Sequence, residues 1–96
     1  MIEAIVLYDV RTADVQGQRR LREVAKLCEG IGQRVQYSVF ELRCTEAQLI
    51  KLAAQLRGTI DNTDSVRIYR TTRGTLDRVQ LIGSSVETPL PGATII

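Results

Sequence analysis

The sequence predicts an α+β sandwich in which two helices cover one face of a small antiparallel sheet. Three observations carry this reading. Ile5-Val6-Leu7-Tyr8-Asp9 and Val66-Arg67-Ile68-Tyr69-Arg70 have the length and apolar content of strands. Two intervening segments repeat apolar residues at helical spacing. The order is strand, helix, strand, helix, strand, and the central strand pattern over 34–43 is long enough to fold into two. That order is the ferredoxin-like βαββαβ sandwich, here with an extra short C-terminal strand.

The first strand, residues 2–9, is apolar on both sides, the mark of a buried strand, and it closes on a carboxylate, Asp9. A polar, flexible loop follows through Thr12, Asp14 and Gly17. Leu21, Val24, Ala25 and Cys28 then form an apolar helical stripe, opposite Arg19, Arg22, Glu23, Lys26 and Glu29. Gly30 and Gly32 end the helix. Along 34–43, Val35, Tyr37 and Val39 alternate with Phe40 and Leu42 on the opposite face.

Thr45-Glu46-Ala47-Gln48 is a capping box that opens the second helix. Its stripe is Leu49, Leu52, Ala53 and Leu56, and Gly58 supplies the stop. Asp61 to Ser65 reads as a turn before the strand at 66–70. Thr71 to Gly74 turns the chain again, and 78–82 reads as the extra short strand. The expected organisation is one domain, 1–82, and a C-terminal tail, 83–96. In the tail Pro89-Leu90-Pro91 has two readings, an extended docking peptide or a disordered terminus.

Two helices cover only one sheet face. The other presents apolar residues that nothing in the chain covers, so a sheet-to-sheet homodimer is expected. The strand at 78–82 has little core of its own and is expected to add to the partner's sheet edge.

Composition narrows the chemistry. At 96 residues with 44% hydrophobic content, the chain suits one soluble domain. No apolar run approaches the roughly 20 residues that span a bilayer, and the N-terminus lacks a signal-peptide pattern, so a cytoplasmic location is the default. Two isolated cysteines, Cys28 and Cys44, suit buried free thiols. The absence of histidine excludes Ser-His-Asp and Cys-His triads and the common zinc sites within one chain. Catalysis would rest on carboxylates, Arg, Tyr, Ser, Lys or a hard metal ion. The net charge is only +2, but 11 of the 13 basic residues are Arg, whose planar fork suits phosphate.

The motifs then converge. Leu7-Tyr8-Asp9-Val10, a helix containing Arg20-Leu21-Arg22, and Gly32-Gln33-Arg34-Val35-Gln36-Tyr37-Ser38-Val39-Phe40-Glu41 resemble the CRISPR-associated protein 2 family. Asp64-Ser65-Val66-Arg67-Ile68-Tyr69 fits that family's Asp-x-Val-x-Ile-Tyr strand. The likeness covers about residues 1–82.

The resemblance implies a homodimer of ferredoxin-like protomers packed sheet to sheet, with a C-terminal strand crossing between chains. It implies that Asp9 meets its symmetry mate across the two-fold axis. Two carboxylates can hold one Mg²⁺, which takes oxygen ligands and keeps several waters. Such an ion lowers the pKa of bound water and polarises phosphate, a route to phosphodiester hydrolysis without histidine. Asp9 is thus the expected metal ligand and, with Tyr8, the expected catalytic residue; its other reading is a turn cap.

Arg20, Arg22 and Arg34 match basic positions for nucleic-acid contact, with Arg19 replacing Arg20 under a one-residue shift. Their other reading is a salt-bridged helix face, Arg19 with Glu23 and Arg22 or Lys26 with Glu29. Tyr8 and Phe40 match aromatic positions beside the family's site, and both also suit the core. Ser38 is a weaker candidate near the metal. Asp14, Asp61, Asp64 and Asp77 read as turn formers.

Two functions follow from the resemblance: a metal-dependent endonuclease for RNA or DNA in CRISPR adaptation and antiviral defence, or a non-catalytic adaptor. The adaptor would bridge the CRISPR-associated protein 1 integrase and hold DNA on basic ridges. A regulatory ferredoxin-like domain without nucleic acid is the reading outside the family.

Overall fold

A computed structural model of the chain describes residues 1–84. The Pro89-Leu90-Pro91 segment, and with it all but the first two residues of the expected tail, lies outside the described residues. Strand β1 is Ile2–Asp9, helix α1 Val15–Glu29, β2 Gly32–Gln36, β3 Val39–Cys44, helix α2 Glu46–Thr59 and β4 Ser65–Thr71. The described strands form one antiparallel sheet in the order β2-β3-β1-β4, which is the expected ferredoxin-like topology. Among the described residues no helix is long and apolar enough to cross a membrane.

The helix-facing side of the sheet forms the core. Ala4, Val6 and Tyr8 alternate inward on β1, and Phe40, Leu42 and Cys44 do so on β3. They pack against Val24, Ala25 and Cys28 of α1 and Leu49, Leu52 and Leu56 of α2, the two predicted stripes. Both cysteines are buried free thiols, and burial pushes Cys28 up to about 11, which makes it a poor nucleophile.

Three local expectations change. The first helix starts at Val15, so Gly17 lies in its first turn instead of a flexible loop. Asp14 is the N-cap, its carboxylate accepting from the Gly17 N–H at 2.7 Å. Glycine is required there because a Cβ would collide with the Arg11 carbonyl oxygen. The second helix runs through Gly58 to Thr59, where the Ile60 N–H still reaches the Leu56 carbonyl. The capping box forms as read, with Thr45 and Gln48 exchanging both bonds.

The third difference is at the C-terminal end. Leu76–Arg78 is one 3₁₀ turn, and among the described residues no ladder includes Val79–Ile82. Val79, Leu81 and Ile82 are instead 61%, 66% and 85% exposed. A strand there needs a sheet edge to pair with, and among the described residues this segment pairs with none.

The central strand pattern divides at Tyr37-Ser38, with a register shift between Arg34 and Gln36. Strand alternation then sets the composition of the open face. Ile5 and Leu7 of β1, Val39 and Glu41 of β3, and Arg67 and Tyr69 of β4 lie side by side there. Asp9, at the end of β1, is on the same face.

The segment after β4 folds back onto this sheet through Glu3. Its buried carboxylate accepts the Gly74 N–H at 2.8 Å and the Leu76 N–H at 2.9 Å. Those two bonds hold its pKa below the ordinary carboxylate range. Arg43 adds a 2.8 Å ion pair to Asp77.

Candidate functional site

Asp9 closes β1 directly opposite Ser65, the first residue of β4. It is exposed, so its carboxylate is accessible to an ion or a substrate. Among the described residues no group of three or more carboxylates or thiols gathers into a metal cage. Asp9 is thus an exposed carboxylate at this end of the sheet.

Tyr8 points the other way. Successive residues of a strand face opposite sides, and Tyr8 lies in the core, stacked on Phe40 with ring centroids 6.1 Å apart. Its hydroxyl donates to the Tyr37 carbonyl at 3.1 Å, and its backbone N–H to the Ser38 carbonyl at 3.2 Å. Burial pushes its hydroxyl above the ordinary phenol range, and Arg34 offsets part of that rise. Tyr8 therefore clamps the β2–β3 turn, and the structure does not bring its ring together with the Asp9 carboxylate. Ser38 sits in that turn, and Phe40 is a fully buried core aromatic.

The four arginines separate into two pairs. Arg19 and Arg22 are on the exposed side of α1, where Arg19 makes a 3.1 Å solvent-facing pair with Glu23. With Lys26 they recur at helical spacing, forming one basic stripe. Arg34 packs inward. Its guanidinium carbon lies 5.2 Å from the Phe40 ring centroid, and it reaches Glu29 at 3.4 Å.

Arg20 is held most firmly. Its Nε meets Asp64 at 2.7 Å and its Nη2 meets Asp61 at 3.2 Å. The Asp64 side chain has no exposed surface and accepts two backbone bonds, from the Arg11 N–H at 3.0 Å and the Asp61 N–H at 3.1 Å, and a longer one from the Thr63 hydroxyl at 3.5 Å. Asp64 is thus both the turn former expected and the anchor of an ion pair that the turn reading missed. The Arg20 guanidinium holds its carboxyl well below the usual range, at about 2.

A pH dependence follows. The folded pKa of Asp64 lies below its unfolded value, so its contribution is present at neutral pH and is lost as pH falls from about 4 towards about 2. Thermal unfolding scanned over that window is expected to show a falling midpoint. Asp64→Asn is expected to lower the midpoint at neutral pH and to flatten the acid slope.

The geometry can be set beside known proteins. Residues 1–79 match the family model for CRISPR associated protein Cas2. The chain belongs to that family. A Rhodospirillum rubrum protein named CRISPR-associated endoribonuclease Cas2 3 is 42% identical over 93 residues, covering 96% of this chain and 98% of the relative. A Halalkalibacterium halodurans protein named CRISPR-associated endonuclease Cas2 is 44% identical over 81 residues, covering 83% and 84%. The crystal structure of Streptococcus pyogenes Cas2 at pH 6.5 superposes with a TM-score of 0.76 at 43% identity, covering 84% of this chain and 99% of that one. The predicted family holds, and so does the α+β fold of a four-stranded antiparallel sheet with two helices.

Proposed function

We propose that this protein is a homodimeric CRISPR adaptation protein that binds nucleic acid and hydrolyses phosphodiester bonds through a pair of Asp9 carboxylates. The observation that carries this is the placement of Asp9. It is exposed at the end of β1, on the same open face as Ile5, Leu7 and Val39. Burying that apolar face against a second copy, with the two-fold axis running near the Asp9 end of β1, would bring two Asp9 side chains together.

The donor set fits Mg²⁺, which needs few protein carboxylates and keeps water in its shell. Asp9 and its symmetry mate would hold the ion. When bound, the ion supplies a lowered water pKa and charge neutralisation at phosphate. Arg19 and Arg22, on the basic stripe of α1, neutralise the nucleic-acid backbone. Tyr8 supports the site from inside, by fixing the β2–β3 turn. The names of similar proteins divide between endoribonuclease and endonuclease, and both RNA and DNA are therefore substrates to test.

A second reading has its own support. With Tyr8 in the core and Arg20 paired to carboxylates, Asp9 has few helpers, which suits an adaptor that holds DNA and bridges the CRISPR-associated protein 1 integrase without cutting. The deciding experiment incubates labelled duplex DNA and single-stranded RNA with purified protein, in Mg²⁺ or chelator, beside Asp9→Ala. The nuclease reading expects metal-dependent cutting that Asp9→Ala abolishes with the dimer intact. Salt-sensitive binding without cutting by either protein would leave the adaptor.

A further inference from the structure

We infer that Arg20 and Asp64 form a positioning pair for Asp9, and that Arg20 acts on the site through the backbone instead of touching nucleic acid. The inference rests on the reading of Asp9 as a metal ligand and adds two residues to it.

Asp64 and Ser65 are consecutive, and together they hold the end of β1 and the residues after it. Ser65 is the ladder partner of Asp9, and Asp64 accepts the N–H of Arg11, two residues further on. The other side of Arg11 is also confined, because its carbonyl oxygen lies against the bare Cα of Gly17. Val10 between them is buried. The backbone carrying Asp9 is therefore gripped from β4 and from α1, and the Asp64 carboxylate is part of that grip.

Arg20 keeps this carboxylate in place. It joins α1 to the loop before β4, and its guanidinium neutralises Asp61 and Asp64 together. Without it the two carboxylates repel at close range. Asp64 then turns towards water, the Arg11 N–H loses its acceptor, and the Asp9 backbone is free to shift. Groups that orient metal ligands in this indirect way typically change metal affinity about 10- to 100-fold when removed. A guanidinium already committed to two carboxylates is also a poor partner for a phosphate, since binding one would require breaking a buried pair.

The test compares Arg20→Gln and Asp64→Asn, alone and together, with Arg20→Lys and Asp9→Asn. Three readouts are needed: Mn²⁺ titration by calorimetry, the salt dependence of duplex DNA binding, and NMR of the metal-free protein. A positioning pair predicts that both single variants weaken Mn²⁺ by a similar factor, about 10- to 100-fold. The double variant should be no worse than either, since the two residues act as one unit, and Arg20→Lys should recover part of the loss. In metal-free protein both should move the Asp9 carboxylate carbon resonance and speed exchange of the Arg11 amide.

A nucleic-acid contact predicts opposite signs. Asp64→Asn would release Arg20 and tighten DNA binding, and Arg20→Gln alone would reduce the salt slope by about one. That result overturns the inference, as does an Asp9 resonance unmoved by both variants. Undiminished Mn²⁺ binding by Asp9→Asn would instead strike the metal reading, and the NMR would still decide the pair.

Discussion

If the proposed face-to-face dimer forms, Leu7→Lys is expected to leave the protein a folded monomer. Leu7 lies at the middle of the open sheet face, between Val39 on one neighbouring strand and Arg67 on the other. In a single chain it is only half-buried, so a lysine there can extend its ammonium into water and leave the helix-facing core untouched. In a face-to-face dimer the two-fold axis doubles the substitution and places two ammonium groups in an apolar contact that also holds Arg67. Like charges brought together at an interface cost several kcal/mol. At about 1.4 kcal/mol for each tenfold, the dissociation constant should rise by roughly 100-fold or more. Sedimentation across a concentration series, with circular dichroism to confirm the fold, checks the outcome. A variant that stays dimeric would place the interface elsewhere and remove the geometric reason for pairing two Asp9 carboxylates.

The same face explains what was legible in the sequence and what was not. Period-two alternation placed Ala4, Val6 and Tyr8 on one side of β1 and Ile5, Leu7 and Asp9 on the other. It therefore already carried the fact that Tyr8 and Asp9 cannot face the same ligand directly. Motif likeness joined them because they are adjacent in sequence, and strand geometry separates them. The helices were readable from Leu21, Val24, Ala25 and Cys28 and from the Thr45 capping box, since these signals are local. Gly17 was not, because its reason is a close approach of the Arg11 carbonyl that no local pattern encodes.

Long-range charge pairing was the least legible. Asp64 looks like any turn aspartate, and Arg20 like any arginine on a solvated helix. Their meeting depends on how α1 crosses the end of β4, 44 residues away in the chain. The helical neighbours proposed for the same stretch fared unevenly, with Arg19 and Glu23 forming their pair and Glu29, at the end of α1, pairing with Arg34 of β2. Glu3 did leave a signal. A carboxylate inside an otherwise apolar strand must find donors, because burial without partners is costly.

Those donors make Glu3 the second sensitive position. Glu3→Ala is expected to destabilise the protein clearly, because two hydrogen bonds to a charged group are lost together. The amides of Gly74 and Leu76 would be left without their acceptor, and Leu76 is itself buried. Glu3→Gln separates charge from shape, since its carbonyl oxygen can serve one amide but not both, and it should fall between wild type and Glu3→Ala. Denaturant titration measures the difference. The consequence reaches beyond stability, because these two bonds launch the chain from β4 towards Val79, Leu81 and Ile82. That apolar strip is well exposed in one protomer and suited to a partner's sheet edge. If it completes the dimer, Glu3→Ala should weaken association as well as folding, and the deficit in dimer affinity should persist where the monomer remains fully folded. A purely local role for Glu3 would lower the unfolding midpoint and leave the dissociation constant unchanged.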